Sequence, residues 1–219
     1  MKWINHFLNS KIPFYTYKLN KDDSIIYTQT ITSNKSLILL HGIVYILKIF
    51  NNQELITLAI LESGNIIYNP TPTENCYYQI IALKETFLIS FSWKDLTNNN
   101  EYIEQKFTVD FLKSYGQTIQ KYETMNNILA HKYVKNRVIQ LILVLLRDFS
   151  TIKKKDITIS YYISQITISL ITGSTKTTIN KIIKELVKSK SIYYSQDKKI
   201  VINNPFFFIN YKNIKNDRL

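Results

Sequence analysis

Cysteine, histidine, glycine and arginine are all scarce in this chain, and each scarcity removes a class of chemistry. The single cysteine, Cys76, excludes an internal disulfide and any iron–sulfur cluster held by several cysteines of one chain, and it points to a reducing compartment. The three histidines, His6, His41 and His131, fall on segments of different type, so no one strand pair assembles the three ligands of a catalytic metal. They read as surface or capping residues, with no metal expected. No apolar run approaches the ~20 residues that span a bilayer. Asn5, His6, Asn9, Ser10 and Lys11 interrupt any apolar core near the N-terminus, so neither a membrane span nor a leader is expected. Only four glycines occur among 219 residues, and one of them, Gly173, stands inside an otherwise helical run.

What is present is a basic chain with ample apolar material for a core. Hydrophobic residues make up 45%, and 28 Lys and Arg face 16 Asp and Glu, a formal charge of +12. Such a balance favours a polyanionic partner. The heavy use of Ile, Asn, Lys and Tyr follows A+T-rich codons, so where the charge is placed carries more than its total.

From Ser24 to about Ser92 short β-branched and aromatic runs alternate with turn signals: SLILL, His41-Gly42, IVYILKIF, Asn51-Asn52, ELITLAIL and Glu62-Ser63-Gly64-Asn65. That spacing predicts an antiparallel sandwich or barrel. Asn51-Asn52, Gly42 and Gly64 supply the positive φ of tight turns. Residues 69 to 75 read as a loop, and YYQIIALKETFLISFSW as a returning strand pair.

Beyond Asn100 the period changes. Leu112, Tyr115, Ile119, Tyr122, Asn126, Leu129 and Tyr133 follow a 3-4 alternation, the seam spacing of paired helices. The pattern predicts a helix over about 103–132 that a second chain covers, with Asn126 fixing register; the alternative is a helix packed only on its own domain. A second helix, 134–149, is apolar almost all round and reads as a buried connector.

The last third predicts a strand at 157–163 and a helix from Gln165 capped by Ser164. Gly173 ends that helix at a tight turn where a Cβ would clash, and a second helix runs from Thr175 to Leu186. Ile179, Ile182, Ile183 and Leu186 form its inner face, and small Ser169 lets the two helices approach: a helix-turn-helix. Thr175, Lys176, Thr177, Asn180, Lys181 and Lys184 face outward, with no carboxylate before Glu185, which suits a helix whose first half enters the major groove. A hairpin follows, 192–194 and 199–203 about the turn Ser195-Gln196-Asp197-Lys198, completing a winged helix with Lys198 and Lys199 placed to meet phosphates.

With LAHKYVKNRVIQLILVLLRDF, DITIS, ITGSTKTTINKIIKEL and KKIVINNP in view, the chain resembles the CRP/FNR superfamily of transcription regulators. Within it, the match is to the cyanobacterial nitrogen-regulator branch and its red-algal plastid-encoded relatives. The resemblance implies an α+β architecture: an N-terminal jelly-roll (double-stranded β-helix, cyclic-nucleotide-binding-like) sensor domain at 1–102, a dimerisation helix at 103–133, and a C-terminal winged helix-turn-helix at 134–219. It implies a non-enzymatic homodimer on palindromic double-stranded DNA, with half-sites ~34 Å apart, and a plastid stromal location. Lys176, Thr177 and Lys181 fall on its base-facing positions, Thr175 and Thr178 on phosphate-contacting ones, and Ser174 beside them. The loop Ser150 to Lys155 falls where relatives touch RNA polymerase, although a solvated charge run is the better reading of it.

The sensor half departs from the family. SGNIIYNPTPTENCYYQIIAL has neither the Gly-Glu phosphate cassette nor any arginine, and no arginine precedes Arg137, so cAMP is not expected. Asn75 and Thr118 stand where the nitrogen regulators hold 2-oxoglutarate with arginines, while Glu123 matches an acidic pocket position. Two cations fewer means 2-oxoglutarate is not expected in the family manner, with Lys84 or Lys121 as the available substitutes. Two further readings stay open: a jelly-roll small-molecule-binding protein or enzyme, and a structural relative that dimerises without reading DNA.

Overall fold

A computed structural model describes residues 2–28, 35–68, 72–98, 103–153 and 156–202. The chain divides into two compact units, Met1–Asn126 and Asn127–Leu219.

The first unit opens with helix α1 (Lys2–Asn9), followed by β1 (Phe14–Leu19), β2 (Ser24–Tyr27), β3 (Lys35–His41), β4 (Ile43–Phe50), β5 (Leu55–Glu62), β6 (Ile66–Ile67), β7 (Cys76–Ala82) and β8 (Thr86–Ser92). Helices α2 (Trp93–Asn98) and α3 (Gln105–Leu129) come next. The strands form two four-stranded antiparallel sheets, β1-β8-β3-β6 and β2-β7-β4-β5. Leu37, Leu39 and Leu88 from one meet Val44, Ile46, Ala59, Leu61 and Ile80 from the other in a single core, the expected jelly-roll sandwich. Ile38 and Ile89, one residue out of phase, point the opposite way and pack under Trp3 and Phe7 of α1 and Phe107 of α3. That sheet is covered on both faces, which is why SLILL is continuous rather than alternating.

Several local expectations need correction. SLILL and IVYILKIF do not form a hairpin: β3 and β4 lie in different sheets, and Gly42 (φ 108°) turns the chain between them. Likewise β7 and β8 are not a pair, since β7 joins β2 and β4 while β8 joins β1 and β3. The β4–β5 hairpin does form, but its positive φ falls on Gln53 (66°). Asn52 instead accepts a hydrogen bond from the Glu54 N–H at 3.0 Å. Part of the 69–75 loop lies outside the described residues. His6 is no surface residue: it is buried on α1 and bonded to Asp110 of α3 at 2.9 Å, with Lys2 on the same carboxylate at 2.6 Å. Those two bonds hold the Asp110 carboxyl below its ordinary range.

The second unit comprises α4 (Val134–Phe149), β9 (Ser150–Lys153), β10 (Asp156–Ile159), α5 (Gln165–Thr172), α6 (Lys176–Lys188), β11 (Tyr193–Tyr194) and β12 (Ile200–Ile202). Its sheet has the order β11-β12-β10-β9. Ser150–Lys153 is therefore a strand, paired with β10, and not part of a solvated loop; Lys154 and Lys155 lie outside the described residues. The strand predicted over 157–163 ends at Ile159, and Tyr161 turns inward against Phe149. Helix α4 matches its expected bounds, with Val138, Leu141, Ile142 and Leu145 buried.

Gly173 closes α5 in the left-handed conformation (φ 59°, ψ 52°). Its N–H bonds Leu170 O and the Ser174 N–H bonds Ser169 O, a Schellman closure. The steric reason given by sequence is corrected: a Cβ there would meet only Arg137 Nη1, at 3.7 Å. The left-handed φ, not crowding, calls for glycine. Gly173→Ala is therefore expected to cost only about 1 kcal/mol and Gly173→Asn less, read as a shift in denaturant midpoint; a loss above roughly 3 kcal/mol would restore the clash.

Candidate nucleic-acid interface

Helix α6 carries the charge that matters. Its inner face, Ile179, Ile182, Ile183 and Leu186, is buried, and α5 supplies Ile168 and Ile171 against it. Ser169 is also buried, its hydroxyl donating to Ile166 O at 2.7 Å, so the close approach of the two helices leaves no unpaired polar group there. Arg137 of α4 braces the turn, donating from Nε to His131 O (2.8 Å) and from Nη1 to Thr172 O (3.2 Å).

On the outer face Lys176, Thr177, Lys181 and Lys184 are exposed, and Asn180 is half-buried. The carboxylate of Glu185 is drawn to Lys135 of α4 at 2.6 Å, so the first turns of α6 present cations, hydroxyls and the Asn180 amide without a carboxylate. Thr175 is the N-cap: its Oγ1 accepts from the Thr178 N–H at 3.2 Å and lies 2.9 Å from the hydroxyls of both Thr177 and Thr178. These threonines organise the helix start as well as facing solvent. The other N–H groups of that first turn give an end with partial positive charge, suited to a phosphate. Ser174 is half-buried beside them.

The wing lies close by. In its turn the Ser195 N–H bonds Lys199 O, the Lys198 N–H bonds Ser195 O (2.9 Å each), and Lys198 takes φ 57°. Lys198 is exposed, whereas Lys199 is half-buried and 3.7 Å from Asp197, which makes Lys198 the freer of the two expected phosphate contacts. Lys176 and Lys198 line one depression of about 500 Å³, together with Tyr162, Gln165 and Tyr194. Sequence reasoning missed these three; the signal was the run of tyrosines flanking both helices. Partial burial raises the Tyr194 phenol. Tyr193 donates to Asp156 at 2.6 Å, tying β11 to β10, and that bond raises its phenol too.

Helix α3 carries two stripes. Phe107, Ser114, Thr118, Met125 and Ile128 are buried. The seam stripe is offset from them: Leu112 and Ile119 are 65% and 54% exposed, Tyr115 and Asn126 are exposed, and Leu129 is half-buried. Tyr122 departs from the seam, packing against the sandwich core, where burial pushes its phenol up to about 12. Tyr133 lies beyond the helix, which ends at Leu129. The buried stripe was readable in Phe107, Phe111, Met125 and Ile128 and was overlooked.

Of the sensor positions, Thr118 is buried and fully engaged, accepting from the Ile66 N–H and donating to Ser114 O, both at 2.9 Å. Asn75 and Glu123 are exposed, and Lys121 pairs with Glu62 at 2.5 Å. Among the described residues no group of three or more His, Cys, Asp or Glu could hold a metal, and no helix is long and apolar enough to cross a membrane.

No family model matches the chain. It is 26% identical over 204 residues to the HTH-type transcriptional regulator ycf28 of Porphyra purpurea, covering 93% of this chain and 84% of that one. It is 24% identical over 205 residues to the global nitrogen regulator of Synechococcus elongatus, covering 90% and 89%. Among solved structures it superposes on a CooA mutant from Carboxydothermus hydrogenoformans with a TM-score of 0.71 at 19% identity, over 90% of this chain and 87% of that one. A CRP-family regulator from Thermus thermophilus gives 0.70 at 14% identity, over 90% and 96%. The chain thus shares the fold of the CRP/FNR regulators over 90% of its length and has homologues among the helix-turn-helix and global nitrogen regulators of red algae and cyanobacteria.

Proposed function

We propose that the chain is a transcription regulator that binds a palindromic DNA site as a homodimer, reading bases with α6. The observation that carries this is the exposed, carboxylate-free first half of α6, with Lys176 sharing one depression with Lys198 of the wing. Lys176, Thr177 and Lys181 would face bases; Thr175, Thr178 and Lys198 would face phosphates. The exposed stripe Leu112–Tyr115–Ile119 supports a second copy as the cover of α3. The ycf28 likeness supports a plastid location, and the regulator names of the homologues favour control of nitrogen genes over catalysis.

No 2-oxoglutarate held by arginines is included, because Thr118 has its one hydroxyl proton committed to Ser114 O and Lys121 faces Glu62.

Selection of bound duplexes from a random pool at ~150 mM salt, with and without 2-oxoglutarate, tests both parts. The expected result is one palindromic consensus, unchanged by the metabolite. A consensus that sharpens with 2-oxoglutarate would overturn the effector reading, and no consensus under either condition would overturn base reading.

A further inference from the structure

A cavity of about 680 Å³ lies in the first unit, where α1, the β5–β6 turn and α3 converge, with Ser114 and Gln117 of α3 on its wall one turn before and immediately before Thr118. Its size is that of a small-molecule site. The apolar part of its wall is Trp3, Ile4, Leu40 and Phe87; Lys2 and Lys113 supply cations and His41 an imidazole; no Asp or Glu lines it. Lys2 is answered by Asp110 at 2.6 Å, just behind the wall. Glu85, whose charge His41 feels, is answered by Lys18 at 2.7 Å. Lys113 has no carboxylate partner among the described residues, so the wall carries uncompensated positive charge. Ser63, Ser114 and Gln117 add hydrogen-bonding groups. At Gly64 an added Cβ would meet nothing within 4 Å, so that side of the cavity stands open.

We propose that this cavity binds a small amphipathic anion, an aromatic or aliphatic body against Trp3 and Phe87 with a carboxylate on Lys113. Asn75, Thr118 and Glu123, the positions aligned with the nitrogen regulators' dicarboxylate pocket, are not on its wall. It contacts α3 directly through Lys113 and Gln117, so on the dimer reading an occupant would touch the helix that carries the seam.

Calorimetric titration of the full chain with 4-phenylbutyrate, and with its neutral amide, tests this without using DNA. Binding with a Kd below about 1 mM is expected, with the amide at least about ten-fold weaker. Lys113→Glu weakens the carboxylate by a similar factor, and Gln117→Trp, an exposed helix position, fills the space and abolishes binding while circular dichroism stays unchanged. The double variant Lys176→Ala/Lys198→Ala binds as the parent does. The proposal is overturned if phenylbutyrate does not bind below that limit, if the amide binds equally, if Lys113→Glu and Gln117→Trp both leave affinity unchanged, or if the Lys176/Lys198 variant loses it.

Discussion

Gly42→Ala is expected to destabilise the first unit by about 3 kcal/mol or more, enough to leave much of the chain unfolded. Gly42 sits at φ 108°, and a Cβ built there lies 2.2 Å from Thr86 Oγ1 and 2.5 Å from Thr86 Cα. The second of these is backbone, so no rotamer relieves it. Thr86 cannot retreat, because it is buried at the start of β8, accepts from the Ile43 N–H at 3.3 Å and donates to Lys84 O at 2.9 Å. The Ile43 bond ties the start of β4 in one sheet to the start of β8 in the other. Gly64 provides the control: its φ is 90° but a Cβ has open space, so Gly64→Ala should cost only about 1–2 kcal/mol of backbone strain. Equal losses at the two positions, measured by denaturant unfolding, would contradict the close approach at Thr86.

If a second copy covers α3 as proposed, the double variant Leu112→Glu/Ile119→Glu abolishes dimerisation. Both side chains are mostly exposed on α3, so the isolated chain should keep its stability within about 0.5 kcal/mol per substitution. Facing their own copies across a two-fold seam, four added carboxylates repel one another and leave apolar neighbours uncovered. A monomer engages one half-site at a time, and losing the linked second contact should weaken binding to a palindrome by roughly 10²–10⁴-fold. Sedimentation at micromolar concentration reads the first effect and titration of the selected duplex the second. A variant that remains dimeric would place the interface elsewhere.

The second unit was largely legible because its signals are local. The helix α4 is long and strongly apolar, Ser164 and Thr175 cap as their residue types predict, and each hydrophobic position of α6 recurs within one turn of the next. Sheet partners were not legible in the first unit, because pairing there is between distant segments. His41-Gly42 looks like a hairpin turn, yet the chain crosses to the other sheet. The strand β1 is mostly exposed, and its partner β8 lies about seventy residues away in sequence. In α1, Trp3, His6 and Phe7 do have helical spacing, but eight residues make a weak pattern, and the burial of His6 depends on Asp110, more than a hundred residues on. The 3-4 spacing of Leu112, Tyr115 and Ile119 on α3 was legible, and all three are exposed there. That stripe alone could not reveal that Tyr122 turns toward the sandwich, since a tyrosine serves either surface.

On the proposed function, α6 reads bases while the wing only holds phosphates. The most direct test measures the affinity of the parent, Lys176→Ala and Lys198→Ala dimers for every single-base variant of the selected half-site, over a range of salt. Lys176→Ala should flatten discrimination at one base position in each half-site by about 1–3 kcal/mol. Lys198→Ala should weaken all sequences alike and lower the salt slope by about one ion per wing. If both variants weaken every sequence equally, the chain is a basic dimer that holds DNA without reading it.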